Sequence, residues 1–234
     1  GVVNIAMEGL MLISAFFSVA AGAATGSAWL GLAAGTLAAM AFALLFAWAA
    51  VHVKSDQIII GMAIDTLALG LTGYLLNVIY GYGGTPVDTP KLPRLAIPGL
   101  SAIPWLGDVF FKQNVLVYAM FLLVIASNYF LFHTRVGMRI RAVGEHPQAA
   151  DTAGVNVYRY RYLGVLLSGL FSGLAGAYLS IGVLNGFMVN MTNGRGYIAL
   201  AAMIFGGWRP YGALGAAMLF GFANAAAYNL QGVG

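Results

Sequence analysis

The sequence predicts an all-α bundle of helices that crosses a membrane several times. Hydrophobic residues make up 61% of the 234 and charged residues only 8%, whereas soluble domains are about one-quarter charged. The apolar runs are about 20 residues long, which suits α-helices crossing a hydrocarbon core of about 30 Å better than the alternating strands of a barrel. A single polytopic membrane domain over residues 1–234 is therefore expected.

Hydropathy divides the chain into long apolar spans and one short apolar piece. The predicted spans are residues 2–24, 28–51, 57–80, 114–133, 162–184 and 211–230. The short piece, 197–208, reaches only about 18 Å as a helix, so we expect a half-helix or re-entrant segment that lines a cavity. Because the chain begins inside one apolar run and ends after another, we also expect a fragment that lacks terminal helices.

The basic residues predict the orientation. Segment 134–161 holds five arginines and two acids, a net charge of five minus two, or +3. They are Arg135, Arg139, Arg141, Arg159 and Arg161, with Glu145 and Asp151. By the positive-inside rule this segment is cytoplasmic. Counting helices backwards places residues 52–56 on the same side and the long loop 81–113 outside.

The external loop, the metal-binding residue types and the overall charge lead to three further predictions. The external loop is predicted to be a compact cap, because its prolines prevent a long helix: Pro86, Pro90, Pro93, Pro98 and Pro104. The chain has no cysteine and three dispersed histidines, which argues against a metal site. The overall charge of +4 follows from membrane orientation, so no nucleic-acid binding is predicted.

Small residues recur at four-residue spacing in several spans. Such stripes let helix backbones approach closely inside a membrane, so they predict helix packing. The stripes are Gly31, Gly35, Ala39 and Ala43; Gly169, Gly173 and Ala177; Ser168, Ser172 and Gly176; and Ala217, Gly221 and Ala225.

A short helix is predicted within the cytoplasmic segment. Pro147 suits a first helical turn and Gly154 suits the position after a helix end. Alanines keep this helix thin, while Glu145, His146, Gln148 and Asp151 give it polar edges. The residues alone leave two interpretations open: a helix shaped for a groove on a partner, or a solvated loop with a helical turn.

Three sequence blocks resemble one known family in the order that the family shows. They are "GVVNIAMEGLMLISAF", "GMRIRAVGEHPQAADTAGVNVYRYRYLGVLLSGLFSGLAGAYLSIG" and "GRGYIALAAMIFGGWRPYGALGAAMLFG". The chain resembles the permeases of ABC importers for branched-chain amino acids, ribose and nucleosides, and is most similar to the nucleoside, simple-sugar type. The resemblance covers nearly the whole chain. It implies a type II-like importer fold in a bacterial cytoplasmic (inner) membrane.

The resemblance also implies partners. The cytoplasmic loop would couple the permease to an ATPase that uses ATP and Mg, while this chain binds no cofactor itself. The coupling residues would be Gly144, Glu145, His146, Pro147, Ala149, Ala150, Asp151, Ala153 and Gly154. A second, different permease chain would complete a heterodimer within the membrane lipids. A solute-binding protein would dock outside, near loops 81–113 and 185–196.

Polar residues within the spans are the candidates for the substrate pathway. Asn4 and Glu8 are one helical turn apart and are expected to share a face. They would either tie helices together or act in the pathway. Asp65 lies about 12 Å along its helix from Gln57. It would either bind ribose hydroxyls or tie neighbouring helices.

The second group of pathway candidates surrounds the short apolar piece. Phe187 would stack on a nucleobase at the outer mouth, or simply pack. Faint internal similarity adds further candidates: Gly1, Ile5 and Ala6 match Gly194, Ile198 and Ala199 at a fixed offset. Corresponding short segments of this kind often mark a transport site. The candidates added in this way are Asn193, Tyr197 and Trp208, with Arg195 as an interface residue.

Three rival functions are weaker. A secondary transporter would use Glu8 and Asp65, but two well-separated acids do not form a proton relay, and loop 144–154 would have no purpose. A membrane enzyme would need convergent catalytic groups, which the helix faces do not show. A purely structural subunit would not need the polar interruptions. The sequence has no GxxxxGK[ST] phosphate loop, so ATP hydrolysis is expected of a partner.

Overall fold

A computed structural model describes residues 1–81, 89–96 and 112–231. Its helices are α1 (Met7–Thr25), α2 (Ala28–Ala47), α3 (Gln57–Tyr80), α4 (Val115–His133), α5 (Arg135–Glu145), α6 (Pro147–Thr152), α7 (Val157–Ala177), α8 (Arg195–Phe205) and α9 (Pro210–Gln231). Two π-helical segments, Trp48–His52 and Tyr178–Leu184, extend α2 and α7. Strands β1 (Arg94–Ala96) and β2 (Lys112–Asn114) pair antiparallel, with Arg94 opposite Asn114.

The helix lengths confirm the predicted all-α membrane bundle. Among the described residues, α1, α3, α4 and the extended α2 and α7 are long and apolar enough to cross a membrane. Helix α9, with 22 residues, covers the sixth predicted span, 211–230, but is not among these five candidate spans. Helix α8 has only 11 residues, or about 16 Å, so the predicted half-helix is present. Helix α7 begins five residues before the predicted span, because Asn156 caps it by accepting from the Arg159 amide at 3.0 Å.

The first span begins later than predicted, because residues 1–6 are not helical. The Val3 amide donates to Gln57 Oε1 at 2.9 Å, and the Ala6 amide donates to Asn4 Oδ1 at 3.1 Å. The bond to Gln57 holds the first residues of the chain against the first turn of α3. Such a backbone is tolerated at membrane depth where protein encloses it. The predicted helical face shared by Asn4 and Glu8 is therefore wrong.

Helix α1 is the centre of the bundle and packs against α2, α3, α7 and α8. Two apolar clusters surround it. One cluster includes Phe16, Val19, Leu76, Ile181 and Phe187, and the other includes Leu10, Phe46, Ile64 and Val165. These clusters bury most of α1, so its polar residues Glu8, Ser14 and Ser18 face protein rather than lipid.

Small residues allow the central helices to approach closely, as their stripes predict. A Cβ on Gly173 would lie 2.9 Å from Thr36 Cα, and a Cβ on Gly35 would lie 2.5 Å from the Ser14 carbonyl oxygen. A Cβ on Gly176 would lie closer still to the Met11 carbonyl oxygen. The stripe of Ala217, Gly221 and Ala225 differs, because it lies on an exposed face of α9.

Contacts between loops group them as predicted. Gly1 lies against Gly144, and His52 Nδ1 is 2.7 Å from the Tyr162 hydroxyl. The start of the chain, residues 52–56 and segment 134–161 are therefore on one side of the bundle. At the other side, the Leu92 amide donates to the Ile181 carbonyl at 3.2 Å. The assignment of the first side to the cytoplasm stays a prediction. The predicted cap over loop 81–113 is described only in part, because Pro86, Pro98 and Pro104 lie outside the described residues.

Candidate functional site

Polar groups from α1, α3 and α8 meet about 12 Å along α3 from its first residue. We call Glu8, Gly9, Asp65, Gly194, Gly196 and Tyr197 the mid-membrane junction. Buried Glu8 accepts hydrogen bonds from the Gly194 amide to Oε1 at 2.8 Å and from the Gly196 amide to Oε2 at 2.6 Å. The first amides of a helix have no partner within the helix, and a carboxylate there is stabilised by the helix dipole. Glu8 thus caps α8 and fastens it to α1.

The Asp65 carboxylate joins the same three helices. Its Oδ1 accepts from the Gly9 amide at 2.7 Å, and its Oδ2 accepts from the Tyr197 hydroxyl at 2.7 Å. Both oxygens of this half-buried side chain therefore have a protein partner, which supports the interpretation of Asp65 as a tie between helices. The Tyr197 side of the pair is open, because the Tyr197 side chain is 43% exposed.

Two glycines of the junction are required by its close approaches. A Cβ on Gly196 would lie 2.5 Å from the Glu8 nitrogen and 2.6 Å from its Cα. A Cβ on Gly9 would lie 2.8 Å from Asp65 Oδ1 and 2.9 Å from its Cα. Backbone atoms cannot yield as the end of a flexible side chain can, so these positions must remain free of a side chain. Sequence reasoning did not single out either glycine.

The other residues around α8 are less involved in the junction. Exposed side chains follow one face of α8 and the turn after it: Tyr197, Ile198, Ala201, Ile204, Phe205 and Trp208. Asn193 is exposed and has a positive φ of 43° in the turn that precedes α8. Arg195 donates through Nη1 to the carbonyls of Met191 and Thr192 at 3.1 and 3.2 Å, so it braces its own turn.

For Phe187 and Asn4 the structure supports the structural alternative, packing or tying, over a role in the pathway. Phe187 is fully buried and packs edge-on against Phe16 at 5.2 Å between ring centroids. It has no face open to a nucleobase, so the packing alternative is correct. Asn4 instead donates through Nδ2 to Ser168 Oγ at 2.9 Å, which ties the start of the chain to α7.

The proposed internal similarity does not correspond to equivalent structure. Gly1 precedes α1 by six residues, whereas Gly194 directly precedes α8 and has a φ of +81°. Gly1 lies beside Gly144 at the side of segment 134–161, while Gly194 lies at the junction. The matching letters therefore reflect the apolar composition that the two segments share. Tyr197 and Trp208 remain candidates because of their positions, not because of a repeat.

The predicted coupling segment forms a compact helical unit. Helix α6 begins at Pro147, as predicted, and ends at Thr152; Gly154 follows with a φ of +78°. The Gly154 amide donates to the Asp151 carbonyl at 2.8 Å, and the Val155 amide donates to the Ala150 carbonyl at 3.0 Å. These bonds satisfy the last carbonyls of the helix. Contacts with α5 and α7 hold this short helix in place.

Most of the predicted coupling side chains are presented outward. Exposed residues of the segment are Glu145, His146, Gln148, Ala149, Asp151, Thr152, Ala153 and Gly154. Gly144 and Pro147 are half-buried. Ala150 differs, because it is only 6% exposed. The structure therefore gives Ala150 a supporting role inside the permease rather than a place on the outward surface.

Comparison with known proteins places the chain in a family. The family described as "Branched-chain amino acid transport system / permease component" matches residues 1–233. The chain belongs to this permease family. It is a multi-pass membrane protein with the helices expected of such a permease. No solved structure matches the permease.

Several named relatives cover nearly the whole permease. The guanosine ABC transporter permease protein NupQ of Bacillus subtilis is 47% identical, over 96% of this chain and 72% of the relative. The nucleoside ABC transporter permease protein NupC of Lactococcus lactis is 41% identical, over 94% and 72%. A protein of Haloferax volcanii, provisionally named a glucose ABC transporter permease, is 37% identical, over 96% and 68%.

Proposed function

We propose that this permease imports nucleosides as one transmembrane subunit of an ABC transporter. The observation that carries the proposal is its 47% and 41% identity to permeases named for guanosine and nucleosides. The mid-membrane junction supports it chemically. A nucleoside is neutral and rich in hydroxyl groups, which both donate and accept hydrogen bonds. The Tyr197 hydroxyl and the Asp65 carboxylate, which already form a hydrogen bond with each other, offer a matching donor and acceptor.

The pathway that we propose passes the open side of the junction. The exposed Tyr197 ring offers a surface on which a base can stack, and Asp65 Oδ2 can exchange the Tyr197 hydroxyl for a ribose hydroxyl. Asp65 then serves both as the tie between helices and as a transient acceptor. Asn193 and Trp208 flank α8 as secondary members of the pathway. Glu8 acts indirectly, by holding the start of α8 in position.

Energy would reach the pathway through helix α6. The membrane would be the bacterial cytoplasmic membrane, with α6 on its inner side. A partner ATPase, using ATP and Mg, would dock on the exposed edge that includes Glu145, Ala149 and Asp151. Closure of the ATPase would move α6, and this movement would pass to α7 and α1 through their direct packing.

The remaining partners would complete the pathway. A second permease chain would form a heterodimer with this one, as the resemblance to nucleoside transporters implies. A solute-binding protein would deliver substrate at the opposite side, near loop 81–113. In the second predicted docking loop, 185–196, residues 188–190, 193 and 195 are exposed and would form the docking surface, whereas Phe187 is buried and the Gly194 and Gly196 amides donate to Glu8.

Competition for uptake tests the substrate class. Vesicles that hold the complete complex would take up labelled guanosine with ATP inside, in the presence of unlabelled nucleosides, ribose, glucose or leucine. Competition by nucleosides alone is the expected result. Competition by a sugar or leucine would place the permease in a sister branch of the family. A sugar is included because the Haloferax relative is named for glucose.

A further inference from the structure

A crevice of about 570 Å³ opens between α5 and α7, at the end of α7 that bears segment 134–161. It is separate from the mid-membrane junction. Tyr162, which lines it, is 2.7 Å from His52 Nδ1, so the crevice lies on the side assigned to the cytoplasm. Its shape and charge indicate an amphipathic ligand.

The two ends of the crevice differ in chemistry. Arg139 of α5 and Arg159 of α7 bring two positive charges, and none of the residues that line the crevice is acidic. Val136, Leu163 and Leu166 form its apolar wall. Leu163 and Leu166 are four and seven residues beyond Arg159 along α7, or about 6 and 10 Å further into the membrane. The cations therefore lie at the membrane surface and the leucines at the level of the lipid chains.

The guanidinium groups have unused hydrogen-bonding capacity. Arg139 donates from Nη1 to the Tyr160 hydroxyl at 3.0 Å, which uses one of its five donors. Among the described residues, the hydrogen bonds of Arg159 include its backbone amide but not its guanidinium. Guanidinium groups match the geometry of phosphate oxygens, and basic pockets between helices on the cytoplasmic side bind anionic headgroups.

We propose that this crevice binds an anionic phospholipid of the cytoplasmic leaflet. Its phosphate lies between Arg139 and Arg159, and an acyl chain lies along Leu163 and Leu166. A soluble partner such as the ATPase fits less well, because the apolar wall extends from the membrane surface to the level of the lipid chains. The bound lipid braces α5 against α7. Since α5 leads directly into α6, the lipid also stabilises the position of the coupling helix.

The test uses the complete transporter complex in nanodiscs that contain equal amounts of phosphatidylglycerol and phosphatidylcholine. Lipid retained after extraction is measured by native mass spectrometry for the wild type, Arg139→Gln, Arg159→Gln and the double variant. Arg141→Gln is the matched control, because it removes the same charge from α5 at a residue that stacks on Phe132 and does not line the crevice. We expect selective retention of phosphatidylglycerol, lowered about fivefold by each crevice variant and unchanged by the control. Equal retention in all variants would overturn the proposal.

Two further arms exclude other occupants. Added inorganic phosphate at millimolar concentration should leave phosphatidylglycerol bound, because phosphate lacks the acyl chain; displacement by phosphate alone would overturn a lipid site. A photoreactive amino acid placed at Leu163 should form adducts with lipid. Adducts formed instead with the ATPase or the second permease would show that a protein covers the crevice, which would also overturn the proposal.

Discussion

The Tyr197 hydroxyl donates a 2.7 Å hydrogen bond to Asp65 Oδ2, and this bond joins the half-helix α8 to the first half of α3. The other oxygen of Asp65 accepts from the Gly9 amide at 2.7 Å. Asp65 therefore holds three helices together at the point that the proposed substrate pathway passes. A change at either residue alters both the packing of α8 and the chemistry of the proposed pathway.

Two variants of Tyr197 separate the contribution of its hydroxyl from that of its ring. Tyr197→Phe loses a bond to a carboxylate, which contributes about 1.5 to 3 kcal/mol, but it keeps the ring. We expect an assembled complex with reduced guanosine uptake, and a further reduction in Tyr197→Ala, which removes the stacking surface. Transport by purified complexes in vesicles measures both. Tyr74→Phe, on an exposed face of α3, is the control and should transport normally.

Replacing Asp65 distinguishes a tie from a ligand. Asp65→Ala loses both bonds, so we expect a less stable complex with little uptake of any substrate. Asp65→Asn keeps an acceptor for the Gly9 amide, so it should assemble and show weaker uptake. Thermal unfolding and uptake are measured together. A fully assembled Asp65→Ala variant with normal guanosine uptake would contradict both roles.

The cap on α8 predicts a graded loss of stability at Glu8. Glu8→Ala leaves two amides without their charged acceptor, and each such bond contributes about 1.5 to 3 kcal/mol. Glu8→Gln retains one acceptor oxygen and should be intermediate. Melting temperatures of the detergent-solubilised permease measure the order. Asp151→Asn, an exposed acid outside the junction, should melt like the wild type; equal melting of all four proteins would rule out the cap.

Close approach at Gly196 predicts a strong effect from a single methyl group. A Cβ there would meet the Glu8 backbone at 2.5 Å, so Gly196→Ala must push α8 away from α1. We expect destabilisation of about 1 to 3 kcal/mol, as for other overpacked sites. Gly70→Ala is the matched control, because its Cβ would meet no atom within 4 Å. Equal melting temperatures of the two variants would contradict the close approach of α8 to α1 at Gly196.

The orientation of α6 predicts different results at adjacent alanines. Exposed Ala149 faces outward, so Glu145→Arg combined with Ala149→Trp should abolish copurification of the ATPase while the permease remains folded. Buried Ala150 supports α6 from within, so Ala150→Trp should lower the melting temperature of the permease itself. Normal recovery of the ATPase with the double variant would refute the coupling role of α6.

The sequence was sufficient for features that depend on local patterns. Hydropathy located the spans, Pro147 and Gly154 bracketed α6 correctly, and the short apolar piece became the half-helix α8. The start of α1 was missed because residues 1–6 are apolar enough to continue a helix. Asn4 was the available signal, since an Asn side chain can bond to the backbone two residues later and so compete with a helix, as it does at Ala6.

The junction could not be predicted as a unit. Glu8 and Gly196 are 188 residues apart, and Asp65 and Tyr197 are 132 apart, so no local spacing relates them. Glu8 and Asp65 were chosen for a polar group in an apolar span, and Tyr197 for an internal similarity that the structure does not support; the fold brought the three together. Phe187 shows the opposite case: a loop position suggested exposure, but packing against Phe16 buries it.

The most direct test of the account is guanosine uptake by vesicles that contain the complete complex, with wild-type permease and Tyr197→Ala compared at equal assembly. We predict that wild-type uptake requires ATP on the side of α6, does not respond to an ion gradient, and falls strongly in Tyr197→Ala. Uptake driven by an ion gradient without ATP, or undiminished uptake by Tyr197→Ala, would contradict an ATP-driven nucleoside pathway past Asp65 and Tyr197.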